Sequence, residues 1–450
     1  MDSGMAVSLG SRVDVAVVGG GSAGCVLAAR LSEDRERSVC LIEAGPDYGP
    51  YDAGSWPADI LDARALAFSH SWATDRDDRS QLRARILGGC SAHNACVLLE
   101  GAPSDYDWGT GWSHAVLEPY LRRAERMLRA RRFAHVELSP WHRAFAELGG
   151  DDVIVHPVNA LGTVRWNTAF AYLDEARDRP NLAILADTLA DRIDLERRQV
   201  VTPRGEIGAS RIVIAAGAYG SPGILLRSGI GPGLQLDLPV GEGLADHVGA
   251  GIGWEPAEML KEATLRFQAE AEAYMGQVTL LGRSSLCEEG VWDQFLFPAL
   301  DPGCEISAGA FAMKPASRGR VRLRSADPED PLEIDHGFLS DPADVTVVAD
   351  GIEELRRLVA QPALRRYIAA EVRPGASVAA EDHVRAAPRG FFHPVGTCAM
   401  GAVVDPAGRV LGLDDVFVVD ASIIPSIPRA NPNLTVVALA ERLAEQLASL

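Results

Sequence analysis

The run Gly19-Gly20-Gly21-Ser22-Ala23-Gly24 places glycine at the three fixed positions of a G-x-G-x-x-G turn. Gly19 can make the tight turn, Gly21 lets the backbone approach a pyrophosphate, and Gly24 allows a helix to pack closely on a strand. Ser22 and Ala23 then open a helix whose first N–H groups have no partner within it and can bind the anion. Glycine-rich turns are common, so the loop alone is weak. Its context is what gives it force. The β-branched run Val13, Val15, Val17 and Val18 precedes it as a buried strand, Ala23 to Leu31 follows as a helix, and Val39 to Ile42 forms a second strand. Glu43, with Ala44 beside it, closes that strand 19 residues after Gly24, where an acid accepts from a ribose hydroxyl and repels a 2′-phosphate. The segment predicts a βαβ unit holding a dinucleotide. NADP is disfavoured, and FAD and NAD both stay open.

Other elements must position this loop. At 450 residues the chain has room for two or three folding units. Short strands are expected at Ile184 to Ala186, Ile193 to Leu195, Gln199 to Val201 and Ile212 to Ala216; the last ends in Ala-Ala-Gly and so returns to the first sheet. Glu258 to Tyr274 reads as an amphipathic helix, and Arg318 to Leu323 alternates as a half-exposed antiparallel strand does. Val345 to Val359 and Glu381 to Ala387 read as helices, Val416 to Val419 as one more buried strand, and Leu434 to Leu447 as a long helix. The expected architecture is α/β, with a Rossmann-like dinucleotide domain (1–135, 183–247 and 392–450) interleaved with a second domain (136–182 and 248–391) containing a mixed or antiparallel sheet and helices.

The bulk composition excludes several classes of partner. A net charge of −19 argues against nucleic acid and anionic membranes. No apolar run approaches the ~20 residues that span a bilayer. Val13 to Val18 leads into the glycine turn and is not a secretory segment. Seven cysteines, among them Cys90 and Cys304, show no zinc-like spacing and read as free thiols of a cytoplasmic protein. No metal site is expected.

Further segments resemble one family closely. Arg83-Ala84-Arg85-Ile86-Leu87-Gly88-Gly89-Cys90-Ser91-Ala92-His93-Asn94 is similar to the first signature of the glucose-methanol-choline (GMC) oxidoreductases. Gly217-Ala218-Tyr219-Gly220-Ser221-Pro222-Gly223-Ile224-Leu225-Leu226, preceded by Ala216, resembles the second. Val240 to His247, His393 to Met400, and Asp420-Ala421-Ser422 with Asn431-Pro432-Asn433-Leu434 resemble three more family segments. The resemblance runs from about Val13 to Leu447 and implies FAD, which resolves the cofactor. The chain is short for the family, clipped around Gly249 to Glu258.

The resemblance also implies roles. His393 matches the family's base, and imidazole suits the removal of an alcohol proton near neutral pH. Asn431 matches the second active-site position, where an amide can hold the alcohol oxygen; N-capping of the last helix is its competing use. His93 matches a histidine of the choline oxidases that is bonded covalently to the flavin, with Ala95 two residues on where those enzymes have serine. Gly89, Cys90, Asn94, Arg85, Ala216, Asp420, Ala421 and Pro432 fall in the cofactor-contacting signatures. His247 beside Asp246 is expected to belong to the domain framework.

Choline itself is not supported, because a quaternary ammonium wants a carboxylate and an aromatic cage. The region where an acid would lie reads Gln277-Val278-Thr279. An uncharged primary alcohol is expected, oxidised by hydride transfer to flavin N5, with O2 or another electron acceptor. The alternative is hydroxynitrile-lyase-like FAD chemistry without net redox change. Oligomeric state is not legible.

Overall fold

In a computed structural model, residues 10–72, 81–301 and 305–450 are described. Cys304 lies outside them. The six other cysteines are free thiols.

The centre of the first sheet is the strand Arg12–Val18, paired in parallel with Val39–Ile42 on one side and Gly205–Ile214 on the other. Leu182–Leu185 extends the parallel array past Val39–Ile42. Val416–Val418 extends it past the C-terminal half of Gly205–Ile214. The N-terminal half of that same long strand instead pairs antiparallel with Gln199–Thr202, which pairs in turn with Arg192–Asp194. Every residue of Val39–Ile42 and of Val416–Val418 is buried, which explains why these strands read as continuous apolar runs and not as alternation. The helices Ser22–Leu31 and Pro432–Ala448 cover one face and pack on each other. Between them Arg30 makes two 2.8 Å bonds to the buried Glu441 carboxylate.

The second sheet is wholly antiparallel. Its order is Ile368–Arg373, Val248–Pro256, Ile306–Ala312, Gln294–Leu300, Val278–Gly282 and Val153–Val155, with Arg389–Gly390 also pairing Val248–Pro256. The helix Pro342–Val359 lays Val345, Val348, Ile352 and Leu355 on this sheet; Asp341 caps it by accepting from Ala343 N. A three-stranded sheet of Glu242–Leu244, Gly319–Arg322 and Glu333–Asp335 packs beside the helix Gly217–Arg227. In it Val321 is buried while Arg320 and Arg322 are exposed, the alternation expected from the sequence.

The architecture is thus a Rossmann-like domain interleaved with one built on an antiparallel sheet. Two stretches differ from expectation. Residues 166–176, assigned above to the second domain, pack in the first core, because Phe170 and Tyr172 of a π-helical turn lie under the helix Ser22–Leu31 and the Tyr172 hydroxyl donates to Glu441 at 2.9 Å. The amphipathic helix stops at Glu270. Ala271 is extended, and the chain turns so that Tyr274 is buried against Phe133 and donates to Gly162 O. Among the described residues no helix is long and apolar enough to cross a membrane.

The glycine turn is held by backbone contact. A Cβ on Gly24 would lie 1.8 Å from the Gly19 carbonyl oxygen, so helix and strand meet here with no room for a methyl group. Gly24→Ala is expected to cost about 3 kcal/mol, as overpacking against backbone does, and to lower the midpoint of thermal unfolding. An unchanged midpoint would show that the helix can shift away freely.

Candidate functional site

Three helix N-termini, at Ser22, Gly217 and Pro432, converge on one cavity of about 380 Å³. Strand-to-helix turns at the carboxyl edge of a parallel sheet are where such clefts form. Gly19, Gly21, Ser22, Ala23, Glu43, Ala44, Arg85, Gly89, Cys90, His93, Asn94, Ala95, Ala216, Asp420, Ala421, Asn431, Pro432 and His393 all line it. Gly24 does not line it and acts beneath the turn, as described above.

Polar bonds join these segments. The Ser22 hydroxyl donates to Asn433 Oδ1 at 2.7 Å, tying the glycine turn to the last helix. Asp420 accepts from Gly217 N at 2.8 Å and from the Ser221 hydroxyl at 2.5 Å, tying that region to the helix Gly217–Arg227. Gly89 sits with φ +53°, where a Cβ would come within 2.6 Å of Gly21 Cα, so the first signature lies directly on the glycine turn.

Glu43 accepts from Gly20 N at 2.7 Å and Gly45 N at 2.8 Å. Burial pushes its carboxyl up to about 7 against the pull of those bonds. Near neutral pH it can both accept from and donate to a ribose hydroxyl. His93 is buried, and neither ring nitrogen makes a hydrogen bond of normal geometry, although the Ser69 main chain lies close enough to favour protonation. Burial outweighs that and pulls the imidazole down to about 4. A buried, neutral, unpartnered imidazole on the wall of a ligand cavity requires an explanation from the ligand. The glycine turn, the acid at the second strand and this orphaned ring together fit an FAD.

At the other end His393 and Asn431 meet, with Asn431 Nδ2 3.1 Å from His393 Nε2. Asn431 precedes Pro432 at the start of the last helix, and its side chain makes no capping bond, so the amide is left for the histidine. His393 follows Phe392, held at φ 62°, a conformation costly for a bulky residue. The His393 N–H donates to Asp246 Oδ1 at 2.9 Å and anchors that turn. Burial holds the His393 imidazole well below its usual range. His247 is more than framework: its Nδ1 lies 2.9 Å from His393 Nδ1.

The wall beside this pair is apolar. The Phe391 ring centroid lies 4.6 Å from that of His393; Phe391 stacks on Phe311 at 3.9 Å and 6° and meets Phe297 edge-on at 5.7 Å. The stretch 248–301 and residues 391–392 bring only Met275, Phe297, Phe391 and Phe392 to the cavity. Among the described residues four acids line the cavity, and all are held elsewhere. Glu43 and Asp420 bond as above, Glu329 pairs with Arg85 at 3.3 Å, and Asp330 accepts from the Ser325 hydroxyl at 2.5 Å. Gln277 is turned away from the cavity: it accepts from Ser139 N and donates to Glu137 O. The phenylalanines were not singled out from sequence, although Phe391-Phe392 directly precede His393.

The GMC oxidoreductase family model matches residues 13–249 in its N-terminal part and 315–440 in its C-terminal part. The chain is 32% identical to an oxygen-dependent choline dehydrogenase of Paraburkholderia phymatum, over 96% of this chain and 92% of that one. It is 30% identical to the protein so named in Pectobacterium carotovorum, over 96% and 94%. Among solved structures it is similar to pyridoxine 4-oxidase from Mesorbium loti, with TM-score 0.83 and 28% identity over 97% of this chain and 99% of that one. A fungal aryl-alcohol oxidase shares the fold at TM-score 0.77 and 21% identity, over 97% and 99%. With both family segments in place and the cavity built from them, the chain belongs to the GMC oxidoreductases and is a flavin-dependent oxidoreductase.

Proposed function

We propose that the protein oxidises an uncharged primary alcohol to the aldehyde, with His393 as the base. The observation that carries this reading is the His393–Asn431 pair set against an apolar wall. FAD, held by the glycine turn, Glu43 and the segment 85–95, would supply the acceptor for the alcohol's hydride and the route of its electrons to O2 or another acceptor. The chain's own residues do the rest. His393 takes the hydroxyl proton, Asn431 Nδ2–H donates to the alcohol oxygen as charge develops on it, and Phe391 and Phe297 exclude water and seat the body of the substrate. Neither the geometry nor the relatives favour non-redox lyase chemistry.

The absence of a free carboxylate at this end among the described residues is what separates the substrate from choline, despite the relatives' names. A quaternary ammonium would find aromatic faces but no counter-charge. A neutral alcohol with an aromatic body, as in pyridoxine, meets the phenylalanines without that deficit. Anaerobic titration with a neutral aryl-methyl alcohol is expected to bleach the flavin, and choline at equal concentration to do so at least tenfold more slowly. Faster bleaching by choline would overturn the substrate assignment.

For the base, His393→Ala is expected to lower the rate of flavin reduction by about 10²–10⁴ with the flavin still bound. Because burial keeps His393 neutral well below pH 6.5, the wild-type rate should hold on going from pH 7.5 to 6. A rate halved near pH 6.5 would mark an ordinary, solvated imidazole.

We further propose His93 as a point of covalent attachment to the flavin, supported by its unpartnered, neutral ring in the cavity wall. The bond replaces one flavin C–H and the imidazole N–H by a C–N bond; two protons leave, and two electrons go to the acceptor that reoxidises the enzyme. Acid precipitation of the holoenzyme is expected to leave the yellow colour in the pellet, and His93→Ala to release it. Colour in the supernatant of the wild type would sink the linkage.

A further inference from the structure

We propose that His247 is a positioning residue that fixes His393 as its Nδ1–H tautomer, leaving Nε2 bare toward the alcohol. The inference rests on the reading of His393 as the base, and the bonding pattern forces it step by step. His247 Nε2 lies 3.0 Å from the Pro428 carbonyl oxygen, which can only accept, so Nε2 carries the proton. Burial pulls this imidazole down to about 3, so the ring is neutral and its Nδ1 holds a lone pair. That lone pair faces His393 Nδ1 at 2.9 Å, with the rings edge-on at 87°. Two lone pairs cannot share that distance, so His393 Nδ1 must donate. Its Nε2 is then unprotonated, and Asn431 Nδ2, 3.1 Å away, donates to it until an alcohol hydroxyl takes that place.

A free histidine side chain favours the opposite, Nε2–H tautomer, which would present a donor to the alcohol and could not take its proton. His247 reverses that preference. When His393 has accepted the proton, its Nδ1–H still donates to His247, now as a charge-assisted bond that steadies the imidazolium. The arrangement is economical in sequence. Asp246 and His247 hold the base by its main chain and its ring, and Pro428, which orients His247, lies on the same loop as Asn431.

The test combines spectroscopy with two variants of the holoenzyme. In protein labelled with ¹⁵N-histidine, with the His393 signals identified by their loss in His393→Ala, Nδ1 is expected to be pyrrole-like and Nε2 pyridine-like. In His247→Phe the pattern should mix or reverse. Flavin reduction at saturating alcohol should then fall about tenfold or more, with the alcohol dissociation constant changed less than twofold. His247→Asn, whose Oδ1 can still accept from Nδ1–H, should recover part of the rate and the wild-type tautomer. An Nε2–H tautomer in the wild type, an unchanged rate in His247→Phe, or equal losses in both variants would overturn the proposal. The tautomer readout needs no turnover. Failure of the base assignment itself is recognised separately, by full activity in His393→Ala.

Discussion

The whole site depends on the pairing of one strand, Gly205–Ile214, with two others far from it in sequence. Arg12–Val18 lies on one side and Val416–Val418 on the other, both parallel to it. Each of the three strands ends in a turn that feeds the cavity: the glycine loop, the Ala216–Gly217 turn and the Asp420 segment. A register slip in any pair would flip its side chains and move its turn away from the others. The half-buried bond of Ser22 and the bonds of the buried Asp420 add specificity to that alignment more than strength, because the Asp420 carboxylate above all would be costly to leave unpaired.

On this frame the cavity divides its labour by polarity. One end is lined by glycines, helix N-termini and the protonatable Glu43, a setting suited to phosphates and ribose. The other is apolar and aromatic, so an imidazole there stays neutral and a carboxylate there would need a cationic partner. The same desolvation keeps the His393 ring unprotonated at neutral pH, at the cost of some of its basicity. Among the described residues the second sheet contributes no titratable group to the cavity; it supplies shape.

Much of this could be read from the sequence, for identifiable reasons. The βαβ unit was legible because buried parallel strands are short apolar runs and the turn needs glycine at fixed places. The cavity-lining role of His393 and Asn431 was legible through their segments. His247 was under-read, because its contact with His393 spans 146 residues and no local pattern encodes it. The packing of 166–176 was missed since a π-helical turn has neither a 3.6-residue nor a two-residue period. Helix Glu258–Glu270 was overextended because Tyr274 continues the apolar stripe, yet its hydroxyl is satisfied only if the chain turns toward Gly162.

The interleaving also orders events during synthesis. Chains fold from the N-terminus as they emerge, but Asp420, Asn431 and the strand Val416–Val418 come from the last part of this sequence. A nascent chain that has made the glycine turn and stopped short of these residues has a phosphate loop without a cavity. The flavin can therefore enter its complete site only after Asp420 and Asn431 have emerged. Its binding energy then favours only the fully threaded state, so the cofactor acts as a late check on whether the three passages through the first sheet have found one another.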